Sequence, residues 1–316
     1  MAAMGSFNIV TPCPPCLKTF AVILWAVIGL LPFAPAHAGL RAFACEPEWK
    51  ALLDDLGDGE VETYAATTAQ QDPHHVEARP GLMAKMRRAD LVVCTGAGLE
   101  SGWLPMVLRQ SGNARVQPGG SGYFEAASAV TLLDVPVRVD RAEGDVHPEG
   151  NPHLHLDARN IAPVARALSA RLAQLDPPHA GRYVAKQADF ERRWQAALTR
   201  WTQQAAPLRG MPVVWHHRNG IYLAHWLGLK EAGVLEPKPG LPPSAGHLSA
   251  LLASLQRAPA RAVLRAAYED GRPDAWLSER AKIPAVVLPY TVGAEGTKDL
   301  FMLFDSTIAR LLEVAR

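Results

Sequence analysis

The chain has 316 residues, 48% of them hydrophobic and 20% charged, an ordinary globular balance with length enough for two lobes of domain size. Lysine plus arginine total 32 against 31 aspartate plus glutamate; residues 1–38 hold one lysine and no acid, so a chain starting at Gly39 has 31 of each. That neutrality argues against a nucleic-acid binder or a protein built to lie on an anionic membrane.

Lys18 precedes an apolar run from Phe20 to Leu31, and Ala36 and Ala38 put small residues at −3 and −1 of a cleavage point before Gly39. At about 12 residues the run matches a signal-peptide core and is short for a membrane span. Residues 1–38 are therefore read as a signal peptide, with a retained anchor as the alternative. Cys13 and Cys16 would leave with it. Cys45 and Cys94 remain, each closing an apparent strand. Export would put them in an oxidising compartment, where a disulfide is expected if those strands are parallel neighbours. Two buried free thiols are the alternative.

From Leu40 short apolar strands alternate with helices. LRAFAC is a strand, and EPEWKALLDDLG a helix with Trp49, Leu52, Leu53 and Leu56 on one face. EVETYAAT is the second strand, Pro80 opens a helix to Arg88, DLVVCTG is the third strand, and a helix covers Trp103 to Gln110. A fourth strand is expected in AVTLLDV, followed by a polar, irregular loop from Pro136 to Pro152. Asp157 to Leu175 and Gly181 to Ala206 carry apolar stripes at helical spacing. The second is about 25 residues, near 38 Å at 1.5 Å each, and reads as a strut between lobes. MPVVW, GVLEP, ARAVLRAAY and IPAVVLP are the later strands. Helices fall in GIYLAHWLGL, Ser244 to Gln256, PDAWLSERA (capped by Asp274 or a neighbour) and Lys298 to Leu312. The pattern predicts an α/β protein of two lobes, each a mostly parallel sheet flanked by helices, joined by a long rigid helix. The expected divisions are an N-terminal lobe over 39–180, the linking helix over 181–206 and a C-terminal lobe over 207–316.

Three turns carry the chemistry: QDPHHVEARP (71–80), GDVHPEGNPHLHLD (144–157) and VVWHHRNGIYLAHWLGL (213–229). Each delivers imidazoles where an element ends or begins, and ligands in parallel sheets bind beyond the carboxyl ends of strands. This is the layout of a metal site assembled by the fold. Imidazoles with a carboxylate suit Zn²⁺; calcium and magnesium prefer oxygen, manganese is disfavoured by the histidines, and copper fits on ligand type.

QDPHHVE, NPHLHLDARN and HHRNGIYLAHWLGL resemble the metal-binding solute-binding proteins of ABC transporters, in the zinc branch typified by ZnuA. ACEPEW, ADLVVCTGAGLESGWLP, GDVHPEGNPH and LPYTVG are similar to the AztC type. The resemblance covers nearly all of the mature chain. It implies a metal held in an interlobe cleft and delivered to a permease, without catalysis. It also implies the ligands. The histidine after Asp-Pro is His74, the one after Asn-Pro is His153, and His217 is read back from the Gly228-Leu229 pair closing the next helix. His75, His155 and His216 stand one or two positions away. Where many relatives carry an aspartate after the last strand this chain has LPY. Glu295 is therefore taken as the fourth ligand, with Asp299 or a water as alternatives.

The reading is a periplasmic zinc receptor serving an ABC permease and its ATPase, with a periplasmic zinc chaperone as a further candidate partner. It is taken to be a monomer. His147, in the Gly/Pro-rich loop, could capture the metal. The rival is a zinc hydrolase or hydratase, since three histidines and an open position also activate water. Its general base would be Glu77 or Glu295, and no HExxH helix is present.

Overall fold

The computed structural model describes residues 39–137, Gly144 and residues 147–316, together with Met1, Ala2, Gly5 and Asn8. Apart from those four positions, the expected signal peptide lies outside the described residues. In the N-terminal half, β1 (Leu40–Ala44), β2 (Val61–Ala65), β3 (Leu91–Cys94) and β4 (Tyr123–Glu125) form a parallel sheet in the order β2-β1-β3-β4. The crossovers carry α1 (Pro47–Gly57), α2 (Pro80–Arg88) and α3 (Leu104–Ser111). Each of these helices has proline in its first turn, where a missing N–H costs nothing. The C-terminal half repeats the plan with β5 (Pro212–Trp215), β6 (Lys230–Val234), β7 (Ala262–Arg265) and β8 (Ala285–Val287), all parallel, in the order β6-β5-β7-β8. Its helices are α6 (Ile221–Leu227), α7 (Ala245–Arg257), α8 (Gly271–Ala281) and α9 (Leu300–Ala315).

Between the halves run α4 (Ala158–Leu175) and α5 (Ala180–Gln204). One face of α5 buries Tyr183, Phe190, Trp194 and Trp201. Trp194 stacks on Phe190 at 5.2 Å and meets Trp201 edge-on at 5.1 Å, and Trp201 lies 5.2 Å from Phe304 of α9. The polar face reaches both halves: Lys186 pairs with Asp58 at 2.6 Å and Arg200 with Asp305 at 2.8 Å. One buried apolar cluster thus continues from Trp49 and Leu53 through α5 to Leu264 and Phe304, so α5 is packed core along one side and a strut along its length. Among the described residues no helix is long and apolar enough to cross a membrane.

Three details depart from the sequence reading. The fourth strand is Tyr123–Glu125, paired with β3, and not AVTLLDV. Leu133 instead receives Asn151 N–H on its carbonyl at 2.8 Å and gives its own N–H to the Tyr222 hydroxyl at 2.9 Å. Those apolar residues bind loop to helix across the two halves. β6 begins at Lys230, ahead of GVLEP, because Lys230 N–H donates to Met211 at the start of the β5 pairing. The cap of α8 is Asp270, which accepts from Arg272 N–H at 3.1 Å, whereas Asp274 is buried on another task. Cys45 and Cys94, at the ends of neighbouring strands β1 and β3, are joined as a disulfide with Cα atoms 4.8 Å apart.

Candidate metal centre

His74 and His153 are set by the same local device. Asp72 stands two residues before His74, across Pro73, and its Oδ1 accepts both the His74 backbone N–H at 2.9 Å and the ring Nδ1–H at 2.7 Å. Asn151 stands two residues before His153, across Pro152, and its Oδ1 accepts the His153 N–H at 3.0 Å and Nδ1–H at 2.9 Å. Proline fixes the chain between, so a short oxygen side chain reaches forward onto the imidazole. The amide of Asn151 cannot be turned round, because its Nδ2 donates to the Arg218 carbonyl at 2.8 Å. The His74 turn is braced from behind. Trp103 Nε1–H donates to the Pro73 carbonyl at 2.9 Å, and a Cβ at Gly102 would stand 2.8 Å from the His74 carbonyl.

His217 comes from the other half, just past β5. Its Nδ1 donates to Glu236 Oε2 at 2.9 Å, a carboxylate brought alongside because Glu236 N–H continues the β5–β6 pairing onto His216. All three rings therefore keep a proton on Nδ1 and leave Nε2 as the nitrogen open to a metal. One ligand nitrogen from each of His74, His153 and His217 lies within 4.8 Å of the others, and all three residues are buried. The Nε2 atoms of His74 and His153 are buried without a hydrogen-bond partner among the described residues. Tetrahedral zinc with bonds of about 2.0–2.1 Å would draw such nitrogens to roughly 3.4 Å from one another. Burial first, then the neighbouring His74, His217, His147 and His155, push the His153 imidazolium well below its usual range. His153 is thus the neutral donor a metal requires.

Of the neighbouring histidines, His216 and His155 are engaged elsewhere. His216 gives Nδ1–H to buried Asp274 at 2.7 Å, with Nε2 3.5 Å from Glu236 Oε1. Burial opposes its charge, but those carboxylates overcome it and lift His216 to about 10, so both its nitrogens carry protons. Burial likewise opposes ionisation of Glu236, and its bonds from His216 and His217 still hold the carboxyl at about 2. His155 is fully buried and donates Nε2–H to the Tyr290 carbonyl at 3.0 Å. His75 is exposed beside the His74 ring. His147 is brought to the cluster, its ring 5.3 Å from that of His74 and 6.4 Å from that of His153.

Glu295 is not brought into the group. It sits at φ 44° between Gly293 and Gly296, and its carboxylate pairs with Arg310 of α9. Asp299 caps α9, accepting Met302 N–H at 2.7 Å. The sequence reading missed Asp72, Asn151 and Glu236. The repeated Asx-Pro-His spacing was a signal for the first two, whereas Glu236 becomes visible only with the strand pairing. The cleft leading to His74 and His217 holds about 210 Å³ and is lined by Asp72, Glu236 and Asp270, acids that raise the local concentration of cations.

The family model for zinc-uptake complex component A, periplasmic (ZnuA), matches residues 43–314. The manganese ABC transporter substrate-binding lipoprotein PsaA of Streptococcus pneumoniae is 21% identical over 256 residues, 78% of each chain. Among solved structures, a crystal structure of ZnuA superposes with a TM-score of 0.73 at 19% identity, covering 88% of this chain and 98% of that one. The Cd-bound periplasmic metal-binding protein of Candidatus Liberibacter asiaticus gives 0.70 at 14%, covering 88% and 100%. These structures share the two-lobed α/β fold. With the family model spanning both sheets and all three histidine turns, the chain belongs to the ZnuA family of metal-binding ABC substrate-binding proteins.

Proposed function

We propose that this chain captures Zn²⁺ between its two halves on His74, His153 and His217 and hands it to the permease of an ABC transporter. The observation that supports this most directly is the common setting of the three rings. Each is fixed at Nδ1 by an oxygen, which leaves Nε2 as the nitrogen that would face the metal. Three imidazoles favour zinc over manganese, although the PsaA relative is named for manganese. The fourth donor is an oxygen with two possible sources: a water, or the Glu295 carboxylate once it leaves Arg310.

The protein is placed in the periplasm, exported through residues 1–38, and within the family it is assigned to the AztC type by its ACEPEW, GDVHPEGNPH and LPYTVG segments. It works as a monomer of lobes 39–180 and 207–316 about the helix 181–206, with a periplasmic zinc chaperone as a candidate donor. It is a carrier and not an enzyme. Of the acids that could serve a hydrolase as base, Glu77 is exposed and Glu295 is held by Arg310.

Deleting the gene tests the transport role. Growth under zinc chelation should fall and recover with added zinc but not with manganese. Equal growth of mutant and parent at every zinc level, with other zinc importers removed, would refute it.

A further inference from the structure

His153 is tied to the C-terminal half from both sides. Two residues before it, Asn151 donates to the carbonyl of Arg218, the neighbour of His217, and its own carbonyl accepts from Tyr222 of α6. Two residues after it, on the short turn Leu154–Leu156, His155 donates Nε2–H to the carbonyl of Tyr290, beyond β8, at 3.0 Å. The second tie continues. His155 Nδ1 faces Oε1 of Glu48, in the first turn of α1, at 3.4 Å, and Glu48 Oε2 accepts from the hydroxyl of Thr291. Tyr290 and Thr291 are consecutive, so these contacts close a ring that starts and ends on the segment after β8. Glu48 and His155 are 0% exposed and Thr291 is 4% exposed. ACEPEW, NPHLHLDARN and LPYTVG, three segments that stand out in the sequence, supply all the members.

A carboxylate, an imidazole and a hydroxyl sealed from water are a costly way to fasten two halves together. Apolar side chains of the same volume commonly hold a core as well or better. What the polar ring adds is direction. Each of its bonds tolerates only a narrow range of length and angle, so the halves meet in one register, whereas apolar surfaces can slide. Register matters here because the three proposed ligands do not come from one half. His74 follows β2 and His153 precedes α4, while His217 follows β5. The Tyr290 ring, on the same anchored backbone, stands edge-on to the His153 ring with centroids 5.9 Å apart.

Resting on the metal reading above, we propose that Glu48, His155 and Thr291 are positioning residues that set the spacing between His74 and His153 on one side of the site and His217 on the other. They act through the backbone of the His153 turn and of the segment after β8. The site is then built before the metal arrives. Zinc settles onto nitrogens already within 4.8 Å of one another and does not have to draw two separate halves together.

The test compares, in the chain from Gly39 onward, wild type, Thr291→Val, Thr291→Ser and the double replacement of Glu48→Leu with His155→Phe. The readings are zinc affinity by chelator competition, the visible bands of Co²⁺ bound in place of zinc, and the thermal midpoint. Binding is measured well below every midpoint, so that lost stability alone does not lower it. Thr291→Val and the double replacement should each still take up one metal, with shifted cobalt bands and zinc affinity lowered about 10–100-fold, as for other groups that orient metal ligands from behind. Thr291→Ser, which restores the hydroxyl, should return both readings to those of wild type. If Thr291→Val does not fold, the double replacement carries the test, since it leaves no buried charge unpaired. Wild-type affinity and bands in whichever of these folds would overturn the proposal. So would a Thr291→Ser as weak as Thr291→Val. Failure of the wild type itself to bind cobalt or zinc would sink the metal reading, and this inference with it.

Discussion

Asn151 holds His153 twice, accepting its backbone N–H at 3.0 Å and its ring Nδ1–H at 2.9 Å through one oxygen. The same residue faces the C-terminal half. Its Nδ2 donates to Arg218 at 2.8 Å, and its carbonyl accepts from the Tyr222 hydroxyl at 2.8 Å. One side chain thus sets the tautomer of a proposed metal ligand and fastens the loop that carries it to the opposite lobe. Asn151→Ala should retain the fold but weaken zinc binding about 10–100-fold, while Asn151→Asp, which keeps the accepting oxygen, should weaken it less. Competition with a chromophoric chelator measures both. Equal affinities for the two variants would show that the acceptor does not matter.

Adjacent histidines should separate by role. His217→Ala removes a proposed ligand and should abolish tight, stoichiometric zinc binding with little change in thermal midpoint. His216→Ala leaves Asp274, 1% exposed, without its partner and should cost about 3 kcal/mol of stability while the protein still takes up one zinc. Metal content and thermal unfolding of the two variants decide the matter, and the reverse pattern would exchange their assignments.

A pH effect on stability is expected away from the metal. Glu46 and Glu100 are both buried and converge on the Thr95 amide, at 3.3 and 2.7 Å. Burial, followed by the Glu100 and Glu48 carboxylates, raises Glu46 well above its ordinary range, and burial lifts Glu100 to about 7. A carboxyl raised in the folded state stabilises fully below its ordinary value of 4.5 and loses that contribution as pH climbs through about 7. The stability of wild type relative to Glu100→Gln should therefore fall by roughly 1–3 kcal/mol between about pH 4.5 and 8. Urea unfolding at several pH values measures this. A difference that does not change with pH would mean that Glu100 titrates normally.

Much of this was legible in the chain because burial leaves a clear trace. Strands β3, β5 and β7 carry buried apolar runs, the stripe of Phe190, Trp194 and Trp201 marks the long helix, and Cys45 and Cys94 close strands that prove to be neighbours. β4 was not legible, since Tyr123–Glu125 is short while the apolar residues near Leu133 serve a contact between lobes. The histidine turns stood out through proline and polarity. What distinguishes His217 from His216, however, is the carboxylate each one meets, and Glu236 and Asp274 reach them only through strand pairing and helix packing. Nothing in the sequence marks Arg310 of α9 as the partner of Glu295, because that pairing depends on how the loop folds back on the helix.

The most direct measurement is a zinc titration of the chain from Gly39 onward at neutral pH. Bound metal would be counted and affinity set by chelator competition, for wild type and for single alanine replacements of His74, His153 and His217. The account predicts one tightly held zinc in wild type and a loss of affinity of at least about 100-fold in each variant, since each removes one of three nitrogen donors. No stoichiometric zinc in wild type, or tight binding that survives all three replacements, would contradict it.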